Sequence, residues 1–252
     1  MGSLGTSKLN VEEIKRLHFL GKNDKEIAKE LGYSHSSVTY VRKNILKLPI
    51  VLESITLTKD QEEILIGTLL GDSSILYTHS GCSYPTLTYC HCKKQSIYAH
   101  TKYEKLKIIM SSIKERQYYD ELIIKGRKCK VQPVVYARGH NCKCLIKYRN
   151  LFYNKDGVKI IPIDFLKDAF TAQSLAYLYM DEGCINQRSY NLNMNGFTRE
   201  ELCKFALLLQ LKFGLEFIVK KDKALYLRYN SISKFEELIK PYITEDMQYK
   251  IH

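Results

Sequence analysis

No stretch of this chain stays apolar long enough to cross a membrane as a helix. No secretory signal is visible. Eight cysteines spread over 252 residues do not make the dense pattern of a small disulfide-stapled scaffold. An intracellular reducing compartment, such as a mitochondrion or a bacterial or phage cytoplasm, is the expected setting. Acids are scarce beside bases, with 27 Asp and Glu against 39 Lys and Arg, for a net charge of +12. That imbalance points to a polyanionic partner, and nucleic acid is the usual one. Hydrophobic residues make up 45%, enough for a packed core in one large domain or two to three small ones.

One stretch organises the rest: Leu65-Ile66-Gly67-Thr68-Leu69-Leu70-Gly71-Asp72. It reads as an apolar helix ending in a carboxylate. Gly67 and Gly71 share one face, as i and i+4 positions do. Glycine costs a helix about 1 kcal/mol against alanine. Two on one face imply that another helix approaches there with little side chain between. A second such stretch follows, Leu175-Ala176-Tyr177-Leu178-Tyr179-Met180-Asp181-Glu182-Gly183. If the two helices pack together, their acids meet at one end of the seam.

These two stretches resemble the LAGLIDADG motif of homing endonucleases, in the monomeric form with two motifs per chain. The likeness is greatest to the yeast mitochondrial, intron-encoded type. Ser174 to Gly183, Leu238-Ile239-Lys240-Pro241-Tyr242, Met247-Gln248-Tyr249-Lys250 and Asn150-Leu151-Phe152 carry it further. The implied fold is α+β: two pseudo-symmetric αββαββα half-domains form a β-saddle.

Read in order, residues 1–8 are a loose start, and 9–47 are a small all-α helix-turn-helix domain. Ala28, Gly32, Val38 and Val41 fall at the spacing of that motif, a small residue, a turn glycine and two packing positions. His35, Ser36, Thr39, Tyr40 and Lys43 would then face a major groove; a protein-contact module is the alternative. Leu48-Pro49 ends this unit, because the residue before proline avoids helical geometry. Residues 48–57 form a linker, 58–160 the first half-domain and 161–252 the second. Alternation predicts a hairpin over 73–78 and 85–93, turned at His79-Ser80-Gly81. An amphipathic helix is expected over 95–112, with Ile97, Tyr98, Tyr103, Leu106 and Ile109 inward. Strands are expected at 122–137 and 142–149.

Between Lys125 and Arg149 there is no Asp or Glu. With Lys93, the bases Lys125, Arg127, Lys128, Lys130, Arg138, Lys143, Lys147 and Arg149 can line a phosphate-facing sheet. A solvated edge that resists aggregation is the plainer alternative. In the second half, Asn186, Gln187, Arg188, Asn191 and Asn193 offer donors and acceptors suited to base edges.

Phosphodiester hydrolysis needs an activated water and relief of charge on the phosphate, which carboxylate-held divalent ions supply. The resemblance implies Asp72 and Glu182 as ligands of Mg²⁺, with Mn²⁺ or Ca²⁺ as substitutes and the backbone of Gly71 and Asp181 assisting. It also implies active-site roles for Lys159 and Lys250. The sequence departs from the motif at Ser73, where glycine is usual, and at Tyr177, which makes close helix packing harder. Cys90-His91-Cys92 and Cys142-Lys143-Cys144 are a competing signal for zinc, though not at the spacing of a common finger. The expected function is a monomeric, site-specific endonuclease of double-stranded DNA leaving short 3′ overhangs. A DNA-binding regulator without cleavage and a maturase acting on its own intron RNA are the alternatives.

Overall fold

The structure is a computed structural model; it describes residues 9–20, 22–48, 55–78, 82–117, 121–124, 127–130 and 132–252. The expectations for residues 1–8, for the turn at 79–81, for Lys125 and for most of the linker lie outside them. The chain divides into two units, Met1–Thr56 with Cys142–Cys144, and Leu57–Asn141 with Leu145–His252. Among the described residues no helix is long and apolar enough to cross a membrane.

In the first unit, three short helices close on a core of Ile14, Leu17, Ile27, Ala28, Val38 and Val41. Each start is capped by a side chain that satisfies an otherwise orphaned amide. Asn10 opens α1 (Val11–Phe19), Asn23 with Glu26 makes a capping box on α2 (Asp24–Leu31), and Ser34 opens α3 (His35–Tyr40). Gly32, at φ 68°, ends α2 in the left-handed conformation that favours glycine and sets the turn into α3. A π-helical turn, Val41–Ile45, carries α3 onward. Arg42 is buried because its Nε reaches Asp24 at 2.8 Å and its guanidinium also bonds the Leu48 carbonyl.

The second unit is two repeats of one pattern. The first runs α4 (Lys59–Leu70), β1 (Ser74–Leu76), β2 (Thr86–Cys92), α5 (Ser96–Lys105), β3 (Met110–Arg116), β4 (Glu121–Ile124), β5 (Arg127–Lys130), β6 (Val134–Asn141) and α6 (Leu145–Phe152). After the connecting α7 (Ile163–Ala169), the second runs α8 (Ala172–Glu182), β7 (Gly183–Asn186), β8 (Ser189–Asn193), α9 (Arg199–Phe213), β9 (Phe217–Val219), β10 (Ala224–Leu227) and α10 (Ile232–Ile239). Their antiparallel sheets have matching orders, β1-β2-β6-β3 and β7-β8-β10-β9. The αββαββα reading therefore holds, with the β4–β5 hairpin inserted between β3 and β6.

Three local expectations are corrected. The helix expected over 95–112 stops at Lys105, and Met110 to Arg116 become strand β3. Its inward face is Tyr98, Ala99, Lys102 and Leu106, while Ile97 is 56% exposed. The single strand expected over 122–137 is three strands, and 142–149 is not a strand. Leu145, Tyr148 and Phe152 recur at i, i+3 and i+7, so this segment buries as helix α6.

Candidate active site

Helices α4 and α8 pack along the seam that the glycines predict. A Cβ added to Gly67 would lie 2.3 Å from the Ser174 carbonyl oxygen, and one on Gly71 would lie 2.5 Å from the Asp181 Cβ. Tyr177 does not hold the helices apart: its ring turns aside to meet Tyr98, with centroids 6.0 Å apart. Polar ties fix the register. Ser174 Oγ donates to the Glu63 carbonyl at 2.8 Å, and Gln173 donates to Asp60 at 2.8 Å.

Both helices end at the same place. Asp72 follows α4, with its side chain 38% exposed. Glu182 is the last residue of α8. Both carboxyls are pushed above the usual range. Burial and the neighbouring Asp181 raise the Asp72 carboxyl to about 6. Burial, then Asp72 and Asp181, raise Glu182 to about 7. Two lysines brace the two ends. Lys159 donates to the carbonyls of Gly71 (2.9 Å) and Ser73 (2.8 Å), and Lys250 donates to the carbonyl of Met180 (2.6 Å). Burial lowers the pKa of both, against the pull of the acids.

Asp181 is used differently from the motif acids. Its side chain is fully buried and accepts four hydrogen bonds. Oδ2 receives Thr68 Oγ1 at 2.7 Å and the Asp72 amide at 3.2 Å; Oδ1 receives Tyr98 OH at 2.7 Å and Lys102 Nζ at 3.0 Å. A carboxylate has about four acceptor positions, so these donors fill it. Burial pushes this carboxyl up, but Lys102, His91 and the bonds from Tyr98 and Thr68 together hold it below the usual range. Lys102 is itself fully buried. Its ammonium also donates to Thr68 at 2.8 Å and lies over the Tyr89 and Tyr98 rings at 4.5 and 4.6 Å.

His91 completes the cluster from β2. Its Nδ1 is 3.4 Å from Asp72 Oδ2, and its Nε2 is 3.7 Å from Asp181 Oδ1. Burial, then the Lys102 charge, lowers its pKa to about 3, so the ring is neutral. Among the described residues, Asp72, His91 and Asp181 are the one group of three whose ligand atoms converge closely enough for a metal ion. No cysteine enters it. Cys90 and Cys92 are exposed on β2, and Cys142 is buried with its thiol pushed up by the bond it donates to Cys144 and by burial.

His91, Lys102, Tyr98 and Thr68 were not read from the sequence as site residues. Their signals were present: a histidine in phase with Tyr89 on the inward side of a strand, and a lysine four residues after Tyr98 on the buried stripe of a helix.

Comparisons with known proteins bear on this geometry. The model of the LAGLIDADG DNA endonuclease family matches residues 62–238, well over half of the chain. The chain belongs to this LAGLIDADG family. A probable intron-encoded endonuclease 1 of Wickerhamomyces canadensis is 28% identical over 220 residues, covering 78% of this chain and 85% of that protein. The solved structure of the homing endonuclease I-WcaI bound to its DNA recognition sequence aligns with a TM-score of 0.67 at 27% identity, over 79% of this chain and 88% of that one. The cytochrome b mRNA maturase bI2 of Debaryomyces hansenii is 24% identical over 213 residues, covering 77% of this chain and 74% of that protein.

The LAGLIDADG sheets present polar faces of unequal character. In the first sheet, Thr88, Arg138 and Ser112 form one outward row, and Cys90, Tyr136 and Lys114 the next. Arg116 stacks on Tyr136 at 4.3 Å. Arg138 and Lys128 are exposed, and Lys93 is exposed but paired with Glu115 at 3.0 Å. Arg127 and Lys130 belong to β5. Lys143 is exposed. Lys147 and Arg149 lie on α6 instead of a sheet: Lys147 is 3.5 Å from Glu62, and Arg149 bonds the Ile75 carbonyl. In the second sheet Asn193 is exposed and Asn186 half-buried, and Gln187 and Arg188 form the exposed turn. Asn191 is only 7% exposed, level with Cys184 and Tyr226 on its neighbouring strands. In the first unit His35, Ser36, Tyr40 and Lys43 are exposed, while Thr39 is turned inward to donate to Asp24 at 2.9 Å.

Proposed function

We propose that this LAGLIDADG protein is a site-specific, metal-dependent endonuclease that cuts both strands of a long DNA target and leaves short 3′ overhangs. The observation that carries the reading is the placement of Asp72 and Glu182 at the exits of two close-packed helices, each pushed up by burial and then by its anionic neighbours. Two acids crowded in this way attract a cation. The donor set, two carboxylates at a half-open site, fits a hard divalent ion, with Mg²⁺ the first choice and Mn²⁺ or Ca²⁺ as substitutes.

Asp72 and Glu182 would hold the metal. The Asp181 side chain would not, since its acceptor positions are filled. The Gly71 carbonyl, which accepts from Lys159, keeps a second lone pair for a ligand role, and the backbone of Asp181 is the matching candidate in α8. A bound divalent ion supplies an activated water and offsets charge on the scissile phosphate and leaving oxygen. The chain's part is to fix the two carboxylates. Lys159 and Lys250 pin the helix ends that carry them and add positive potential toward the phosphates.

The outward rows around Arg138, Lys114 and Arg116 suit backbone phosphates, and Asn186, Gln187, Arg188 and Asn193 suit base edges. The helix-turn-helix unit, through His35, Ser36, Tyr40 and Lys43, would add a second DNA contact. The chain would act as a monomer, since it carries both motifs. An intron-bearing compartment such as the mitochondrion is the setting that fits the named relatives. Residues 58–160 and 161–252 would be the two halves of the nuclease.

The test is cleavage of the uninterrupted insertion site with Mg²⁺. Asp72→Asn should abolish cutting while binding in Ca²⁺ persists; loss of binding as well would count against a purely catalytic role. Maturase action on its own intron RNA is the second reading, favoured by the resemblance to the named yeast maturase. Splicing of that intron in vitro, with and without the protein, separates the two.

A further inference from the structure

Asp72 is the most exposed acid of the cluster, yet among the described residues no hydrogen bond reaches its carboxylate. What faces it is His91 Nδ1, 3.4 Å from Oδ2. The ring has little freedom. It is 3% exposed and lies between Tyr89 and Tyr98, with centroids 5.6 and 5.0 Å away. Which ring nitrogen carries the useful N–H is set by what each one faces. Asp181 has no need of it, because Tyr98 and Lys102 already fill Oδ1, and Nε2 makes no hydrogen bond there. The Lys102 ammonium, bonded to that same Oδ1, favours a bare lone pair on Nε2.

We propose that His91 is a positioning residue: its Nδ1–H faces Asp72 Oδ2 and leaves Oδ1 as the free oxygen for the metal. The histidine is not itself a ligand. It does for the carboxylate what outer partners of metal ligands do generally, fixing orientation so that binding costs less ordering. Glu182 has no such partner among the described residues, so the device belongs to the first motif alone. The inference rests on the metal-dependent reading above.

The experiment uses the full chain and Mn²⁺ alone as probe, with binding followed by electron paramagnetic resonance. Asparagine reproduces a donor at the Nδ1 position and glutamine one at the Nε2 position. His91→Asn should hold the Mn²⁺ affinity within about threefold of the parent, while His91→Gln and His91→Phe should lose about 10- to 100-fold, the usual cost of removing an outer partner. Asp72→Asn is the reference for loss of the site. If the parent binds Mn²⁺ through Asp72 but cuts no DNA, the nuclease reading fails and this one survives. If glutamine matches the parent and asparagine does not, the proposal is overturned.

Imidazole ¹⁵N spectra of the unmutated protein give a second test that needs no variant to fold. The His91 signals should show the Nδ1–H tautomer, and it should persist with Mg²⁺ added. An Nε2–H tautomer, or loss of the Nδ1 proton on adding Mg²⁺, would make the ring an acceptor or a ligand and would overturn the proposal.

Discussion

The two motif ends share a plan and differ beneath it. At each, a lysine from outside the helix bonds the last carbonyls, and an acid stands at the helix exit. Under Asp72, however, lies a closed network of Asp181, Lys102, Thr68, Tyr98 and His91, and under Glu182 there is no counterpart among the described residues. The cause is the seventh motif position. At the end of α4 it is the capping Gly71; in α8 it is Asp181, whose side chain occupies the space the glycine leaves. The repeat therefore conserves backbone and lysine braces, and the asymmetry sits in one buried side chain.

Breaking that network should give the largest effect. Asp181→Asn leaves Lys102 buried without its counter-charge, and Lys102→Met leaves the carboxylate so. Each should cost about 3–5 kcal/mol of stability, the usual result of removing one partner of a buried pair. The double variant should recover much of that loss. Urea unfolding of all four proteins measures it, and strictly additive costs would show that the pair is not coupled.

Next in size is the contact that brings the halves together. Gly71→Ala places a methyl 2.7 Å from Asp181 Oδ2 as well as against its Cβ. Neither can move without breaking the four bonds, so a cost of about 1–3 kcal/mol is expected from overpacking. Cleavage should fall further than stability does, because Asp72 is the neighbouring residue. Equal thermal stability of Gly71→Ala and the parent would mean that the seam opens freely.

Much of this was legible beforehand because the motif helices are constrained twice. Gly67 and Gly71 are poor helix residues that make sense only against a second helix, and Asp72 and Glu182 repeat at matching positions. The sheets were legible where alternation was clean, as in β2. Residues 142–149 were misread as a strand because their charges hid the period: Leu145, Tyr148 and Phe152 recur at helical spacing, Lys147 rides on the outer side, and Arg149 turns in to the Ile75 carbonyl. Lys102 and His91 stayed hidden for another reason. A charged or polar side chain counts as surface until its partner is known, and Asp181 is 79 positions from Lys102.

The lysine braces compare the two ends with less disturbance. Lys159 holds two carbonyls on the Asp72 side, and Lys250 holds one on the Glu182 side. Replacing either by methionine should slow cutting by about tenfold or more, on the order of one lost charge-assisted hydrogen bond. Nicked duplex should accumulate, with opposite strands left intact in the two variants. Labelled-strand gels show which; the same nick from both would mean the lysines do not act on separate strands.

Stability against pH compares the two ends without touching their packing, and its sign follows from the two raised acids. Asp72 and Glu182 in the folded chain hold protons up to about 6 and 7, above their ordinary 3.8 and 4.5. Between those limits the folded state binds more protons than the unfolded one, so stability falls as pH rises. Asp181 and His91 work the other way: the depressed pKa of Asp181 puts its loss at lower pH, and His91, lowered from 6.5 to about 3, offsets only part of the fall below about pH 6.5. Without divalent metal, Tm should therefore drop between pH 5 and pH 8 on account of Asp72 and Glu182, and Mg²⁺ should restore more at pH 8, where both carboxylates are free to take it. Asp72→Asn with Glu182→Gln should flatten the slope and abolish the Mg²⁺ response. If the single Glu182→Gln variant flattens it as fully as the pair does, Asp72 is already compensated inside the fold, and the two ends differ electrostatically as well as in their packing.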